Sequence, residues 1–193
     1  MTYQLKISLE DSNPLIWRRV LIRPKINFLD LHLIIQGTMG WDNSHMFAFF
    51  HPTAPRTRIG LIYEDDYIDE GMIDANEVKV FQELSEHKPA MFYEYDFGDS
   101  WLHRIELEKI TEDMILPKGI CIDGANACPP EDCGGIPGYY TMIEGINNPH
   151  SEQDHHWTEW MGMSEGEKWD TALFNVETAN SNLQSYLNDP YYF

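Results

Sequence analysis

Three cysteines, Cys121, Cys128 and Cys133, lie in one short stretch with the spacing C-x6-C-x4-C. Thiolates are soft ligands that suit Zn²⁺, so three on one flexible segment could hold a zinc ion. The fourth ligand would be His103, His150, His155 or His156. The adjacent pair His155-His156 can give only one ligand from a given helix face, because neighbouring residues diverge by ~100° around a helix. The spacing is looser than the C-x2-C pairs of zinc ribbons. A bound zinc would order a loop that has few apolar residues to bury. The alternative is that the thiols are small buried groups packing beneath that loop. An odd, local set of cysteines does not read as a disulfide framework.

The same stretch carries Pro129-Pro130-Glu131-Asp132-Cys133-Gly134-Gly135. Two prolines fix φ and lower the entropy lost on ordering. The glycine pair allows positive φ or close backbone approach. Glu131 and Asp132 would then be held stiffly at the tip, as ligands for a hard metal or as general acid and base. The competing reading is turn chemistry, with Asp132 accepting backbone N–H bonds. A second set is His45, Asp96, Asp99, Trp101 and His103. If the segments bearing them are neighbours, the histidines and carboxylates could bind a metal or move protons. Here too turn chemistry competes, because Asp96 and Asp99 flank Phe97-Gly98, and His103 sits on an apolar strand face.

Familiar catalytic patterns give little. There is no Gly-rich phosphate loop, no G-x-G-x-x-G and no H-E-x-x-H. Lys plus Arg number 13 against 32 Asp plus Glu in 193 residues, a formal net charge of −19. Phosphate neutralisation needs clustered cations, so direct nucleic-acid binding is not expected, nor is docking on anionic lipid. Aromatics make up 13% of the chain, too many for a disordered acidic tail. No stretch is long and apolar enough to span a bilayer, and the start lacks an apolar signal core, so a cytoplasmic location is expected.

The elements that must position these residues can be read from periodicity. Tyr3, Leu5, Ile7 and Leu9 alternate with polar residues, which predicts a half-buried strand. Ile16 to Ile22 predicts its antiparallel partner, with Arg18 and Arg19 on opposite faces. Asn27 predicts a helix N-cap, followed by Phe28, Leu31, Ile35 and Met39 at helical spacing and Gly40 as the stop. His45 to His51 predicts a strand, 52–57 a loop, Arg58 to Tyr63 another strand, and the acidic 64–70 a solvated loop. Met91 to Phe97 and Trp101 to Leu107 predict a hairpin turning at Gly98-Asp99. Residues 117–138 show no periodicity and are expected to be irregular. Tyr139 to Ile146, a segment capped by Ser151 and Asp154, and Val176 to Tyr186 predict helices. The sum is an α+β chain, one sheet covered by helices, in a single domain over 1–193. It divides into a sheet-rich part (1–116), a Cys/Pro/Gly loop (117–138) and a helical part (139–193). How the final Tyr191-Tyr192-Phe193 packs is left open.

Tyr95-Asp96-Phe97-Gly98-Asp99-Ser100-Trp101-Leu102-His103 and Cys128-Pro129-Pro130-Glu131-Asp132-Cys133-Gly134-Gly135 resemble the plasmid pRiA4b ORF-3-like family. Ile34-Ile35-Gln36, Met39-Gly40-Trp41, His45, Gly138-Tyr139 and Ala179-Asn180 through Leu183 extend the match over almost the whole chain. The resemblance implies an α+β domain whose first half is similar to the ubiquitin-like β-grasp. The family is largely uncharacterised and supplies no catalytic residues. Its association with plasmid and mobile-element genes implies a nucleic-acid context, which the charge of −19 does not favour as direct contact.

Two functions follow. The first is an acidic protein-interaction or ligand-binding module that offers a sheet edge and an aromatic patch to a protein or peptide partner, basic ones above all. The second is a metal-dependent, hydrolase-like enzyme built on the Cys/His/Asp set, with zinc as the candidate cofactor.

Overall fold

The alternation at the start of the chain buries Leu5, Ile7 and Leu9 completely and makes strand β1 (Thr2–Leu9). It pairs antiparallel with β2 (Trp17–Ile22), as the pattern predicts. The computed structural model describes residues 1–62, 71–112, 117–149, 155–164 and 166–188. The acidic run at 64–70, His150, the side chain of His155, the 151–154 cap and the final aromatic residues lie outside them.

Helix α1 (Phe28–Met39) starts where Asn27 accepts the Asp30 N–H and stops at Gly40 in the left-handed region at φ 99°. Every residue of α1 is buried, because the sheet covers one side and α5 (Val176–Asn188) crosses the other. Gly37 makes that crossing close: a Cβ there would stand 2.6 Å from Leu183 Cα.

The remaining strands are β3 (Phe47–His51), β4 (Ala54–Gly60), β5 (Met72–Asp74), β6 (Ala90–Tyr95), β7 (Trp101–Thr111) and β8 (Gly119–Ala125). The remaining helices are α2 (Val80–Glu83), α3 (Gly135–Asn147) and α4 (His155–Trp160). One sheet runs β5-β4-β3-β6-β7-β1-β2-β8. Its pairings are antiparallel except β4 with β5. The chain is thus mixed α+β. Among the described residues no helix is long and apolar enough to cross a membrane.

Three expectations need correction. Residues 117–138 are not irregular throughout: 119–125 form β8 on the edge of the sheet and α3 begins at Gly135. The strand escapes periodicity because Gly119 and Gly124 interrupt it, at places where a Cβ would meet Ile34 and Phe174. The second strand of the 54–60 region starts earlier than Arg58, at Ala54, with four exposed residues that carry no apolar pattern. The hairpin turn uses Asp96 and Ser100 at positive φ (55° and 54°), and neither Gly98 nor Asp99 adopts positive φ.

Candidate functional site

The site grows from three connections. The first, 40–46, leaves α1 and carries His45 toward β3. A buried polar network fixes it from below. His32 stacks on Phe47 at 3.7 Å, its Nδ1 lies 2.8 Å from Tyr93 Oη, and its Nε2 lies 2.6 Å from Asn43 Oδ1. Gln36 donates to Tyr93 Oη and accepts the Asn43 N–H, each at 3.0 Å. One tautomer, with the proton on His32 Nε2, satisfies every member. Burial pushes His32 down to about 3, so it is neutral. Ser44 donates its hydroxyl to Asp42, which lowers the Asp42 carboxyl, and the Ser44 N–H donates to Tyr95 Oη at 3.0 Å.

The second connection is the β6–β7 turn. Asp96 accepts the Gly98 N–H on Oδ1 at 2.9 Å, and its own N–H donates to Met46 O at 2.9 Å. Its other carboxylate oxygen faces His45.

The third is the Pro-Pro-Glu-Asp-Cys-Gly-Gly lobe. Trp41 Nε1 donates to Pro129 O at 2.9 Å, and Asp99 Oδ2 accepts the Gly134 N–H at 2.9 Å. Glu131 Oε1 accepts the Asp42 N–H and the Tyr95 hydroxyl, each at 3.0 Å. Tyr95 in turn stacks on Trp41 at 4.9 Å. The stiff lobe is thus seated on the aromatic hairpin.

At the meeting point His45 Nε2 lies 3.1 Å from Asp132 Oδ1, 3.8 Å from Asp96 Oδ2 and 4.0 Å from Glu131 Oε2. It is shielded from solvent and makes no hydrogen bond, and neither does Glu131 Oε2. Burial pushes Glu131 up to about 7, against the hydrogen bonds that favour its ionised form. Tyr95 is raised by burial and by the neighbouring Glu131. Asp96 and Asp132 both hold positive φ (55° and 54°), an unusual state for residues with a side chain.

Among the described residues, one group of three or more His, Cys, Asp or Glu side chains has its ligand atoms within 4.8 Å of one another: His45, Asp96 and Asp132. Two ligands ~2.1 Å from a tetrahedral ion stand ~3.4 Å apart, so these separations suit one divalent cation with little movement. One nitrogen and hard oxygens suit zinc, manganese or iron.

The other candidates sit elsewhere. His103 is fully buried, its Nδ1 at 2.9 Å from Trp101 O, edge-on to Trp41 at 5.2 Å. Burial pushes it down to about 4, so it is a neutral core histidine. Trp101 is fully buried in the same core. Asp99 ties the lobe to the turn and is not in the ion-sized group. The three cysteines are free thiols, and no cysteine belongs to that group. Burial raises all three, Cys128 and Cys133 to about 12. The segment Gly162-Met163-Ser164-Glu165-Gly166 spells G-x-S-x-G, but it follows α4, where a nucleophile elbow requires a strand leading into a turn.

Sequence reading missed the positioning residues His32, Gln36, Asn43, Asp42 and Tyr95. The polar His32 and Gln36 inside an otherwise apolar helix stretch were the available signal. Apolar groups border the site: exposed Met46 and Phe97, and a cavity of about 190 Å³ lined by His45, Met46, Phe47, Leu61 and Met72 among others.

Comparisons place this architecture among known chains. A protein from Sinorhizobium fredii, named only as the uncharacterized protein y4hQ, is 32% identical over 179 residues, covering 92% of this chain and 88% of that one. The crystal structure of a protein of unknown function, MM3350 from Methanosarcina mazei Go1, is similar with a TM-score of 0.77 at 29% identity, over 91% of this chain and 96% of that one. The description "Plasmid pRiA4b ORF-3-like protein" matches residues 1–178, and the chain belongs to that family.

Proposed function

We propose that the protein is a ligand-binding module whose centre is one divalent cation held by His45, Asp96 and Asp132. The observation that carries this reading is the His45 ring nitrogen, withdrawn from water, without a hydrogen bond, and facing three carboxylates within 4.0 Å. A buried polar atom left unpaired is costly, and a cation would satisfy it together with the crowded oxygens. Zinc is the cofactor we favour, with manganese and iron as the competing ions. An apolar group of a protein or peptide partner would sit on Met46, Phe97 and the adjoining cavity, beside the ion. The net charge of −19 favours basic partners over nucleic acid.

Calorimetric titration of metal-stripped protein with Zn²⁺ and Mn²⁺ tests it. One equivalent should bind, and His45→Ala or Asp96→Asn should each weaken affinity tenfold or more. Absence of stoichiometric binding, or equal affinity in both variants, refutes the reading.

A second reading, a metal-dependent hydrolase, is favoured by Glu131. Its free oxygen lies beside the ligand set and could take a proton from metal-bound water. Glu131→Gln should then keep the ion and lose hydrolysis of bis(p-nitrophenyl) phosphate.

We infer a single domain over 1–193, because α3, α5 and the sheet contribute to one core. The hairpin β1–β2 followed by α1 supports the β-grasp likeness of the first half. A cytoplasmic location fits three free thiols.

A further inference from the structure

A larger cavity, about 550 Å³, opens beside Ala127 and Cys128, between the end of α1, Met163, the 167–175 segment and α5. Its walls are mostly apolar: Met39, Leu173, Phe174, Trp169 and Ala179. Arg18 of β2 is among them, 3% exposed. Its Nε donates to Thr38 O at 2.9 Å, and one terminal nitrogen donates to Trp17 O at 2.8 Å and Ala125 O at 3.0 Å. The Phe174 ring covers the guanidinium at 4.4 Å. Among the described residues the second terminal nitrogen has no acceptor, and no carboxylate pairs with this arginine. A buried guanidinium does not shed its proton, so the charge persists and calls for an anion.

We propose that this cavity binds a small monocarboxylate with an apolar body, its carboxylate on the free edge of Arg18 and its chain along Met39, Leu173 and Phe174. The volume lies within the ~300–1,000 Å³ of small-molecule sites. The wall carries two cations, the buried Arg18 and Lys168, whose ammonium donates to Asn147 O, against the two carboxylates Glu167 and Asp170, and that balance suits one added negative charge and disfavours a dianion. The site is independent of the His45 cluster and stands or falls separately from it.

Binding of octanoate, octan-1-ol and octyl phosphate at pH 7.5, followed by isothermal calorimetry and thermal shift, tests the proposal. Octanoate should bind at least tenfold tighter than the uncharged alcohol, and also tighter than the phosphate. Arg18→Gln should erase the preference for octanoate over octanol. Because that variant removes a buried anchor, Asn182→Trp, on the exposed face of α5 at the cavity wall, provides a second check. It should weaken octanoate tenfold or more while the protein stays folded. Equal binding of octanoate and octanol, no binding of octanoate, tighter binding of octyl phosphate, or an unaffected Asn182→Trp variant would each overturn the proposal.

Discussion

Asp99 Oδ2 accepts the backbone N–H of Gly134 at 2.9 Å, and this one bond ties the β6–β7 turn to the lobe that carries Glu131 and Asp132. The two ends of the His45 cluster therefore come from segments joined through a residue that faces no ion itself. Asp99→Ala leaves the Gly134 donor without its charged acceptor. Because Gly134 is exposed and water can take the place of the lost acceptor, it should cost only about 0.5–1.5 kcal/mol in urea unfolding. It should also weaken divalent-ion binding about tenfold or more, as loss of an orienting partner does. Asp99→Asn keeps an acceptor and should recover most of both. Ion affinity unchanged in Asp99→Ala would show that the lobe is held by other means.

Gly135 provides a separate check on the same junction. It holds φ 66°, and a Cβ there would stand 2.6 Å from Asp99 O, a backbone atom that cannot swing away. Gly162 holds φ 63° with nothing within 4 Å of its Cβ position. Gly162→Ala should therefore cost only the conformational ~1–2 kcal/mol. Gly135→Ala adds a clash and should cost clearly more, measured side by side in the same denaturant series. Equal costs would mean that the lobe does not press on the turn at Asp99.

These relationships also show what could be read without coordinates. The strand at 2–9, the capped helix at 28–39 and the aromatic hairpin follow from period and punctuation, because each buries one face and is bounded by its own turn residues. The strand at 119–125 did not, since its glycines serve contacts with Ile34 and Phe174 that lie far off in sequence. In the site, His45, Asp96, Glu131 and Asp132 were legible as residue types on turn-rich segments. Their convergence was not, because it depends on β3 pairing with β6 and on Trp41 reaching Pro129 O. His103 was overvalued for the converse reason: its alternation placed it on the buried face, where the sheet leaves it neutral among aromatics.

Two buried neutral histidines give the protein an acid-sensitive core. Burial pushes His103 to about 4 and His32 to about 3, below the ~6.5 of an unfolded chain. Above pH ~6.5 neither state binds the proton and the histidines exert no pull. Below it the unfolded chain takes up protons that the folded one refuses. Stability should fall as pH drops from ~6.5 toward 4 for His103, and further toward 3 for His32, at up to ~1.4 kcal/mol per pH unit for each. Chemical denaturation between pH 7.5 and 5 measures the slope. His32→Gln should flatten it even if the variant is less stable at pH 7.5, and an unchanged slope would remove His32 from this account.

Cys128 decides between the thiol loop and the carboxylate cluster as the place where a metal binds. Its thiol is pushed up to about 12 by burial, with Arg18 pulling the other way. The thiolate is the reactive species, so at pH 8 its ionised fraction is smaller than that of an ordinary thiol by roughly a thousandfold. Iodoacetamide labelling read by peptide mass should be slow at Cys128 in the native protein and complete after denaturation. A zinc ion on the cysteines would make that protection depend on metal, and a chelator would then speed labelling. An ion held by His45, Asp96 and Asp132 leaves the labelling of Cys128, which lines the larger cavity, governed by its raised thiol alone. We therefore expect the same slow labelling of Cys128 with and without EDTA, and chelator-dependent labelling would move the metal to the cysteine loop.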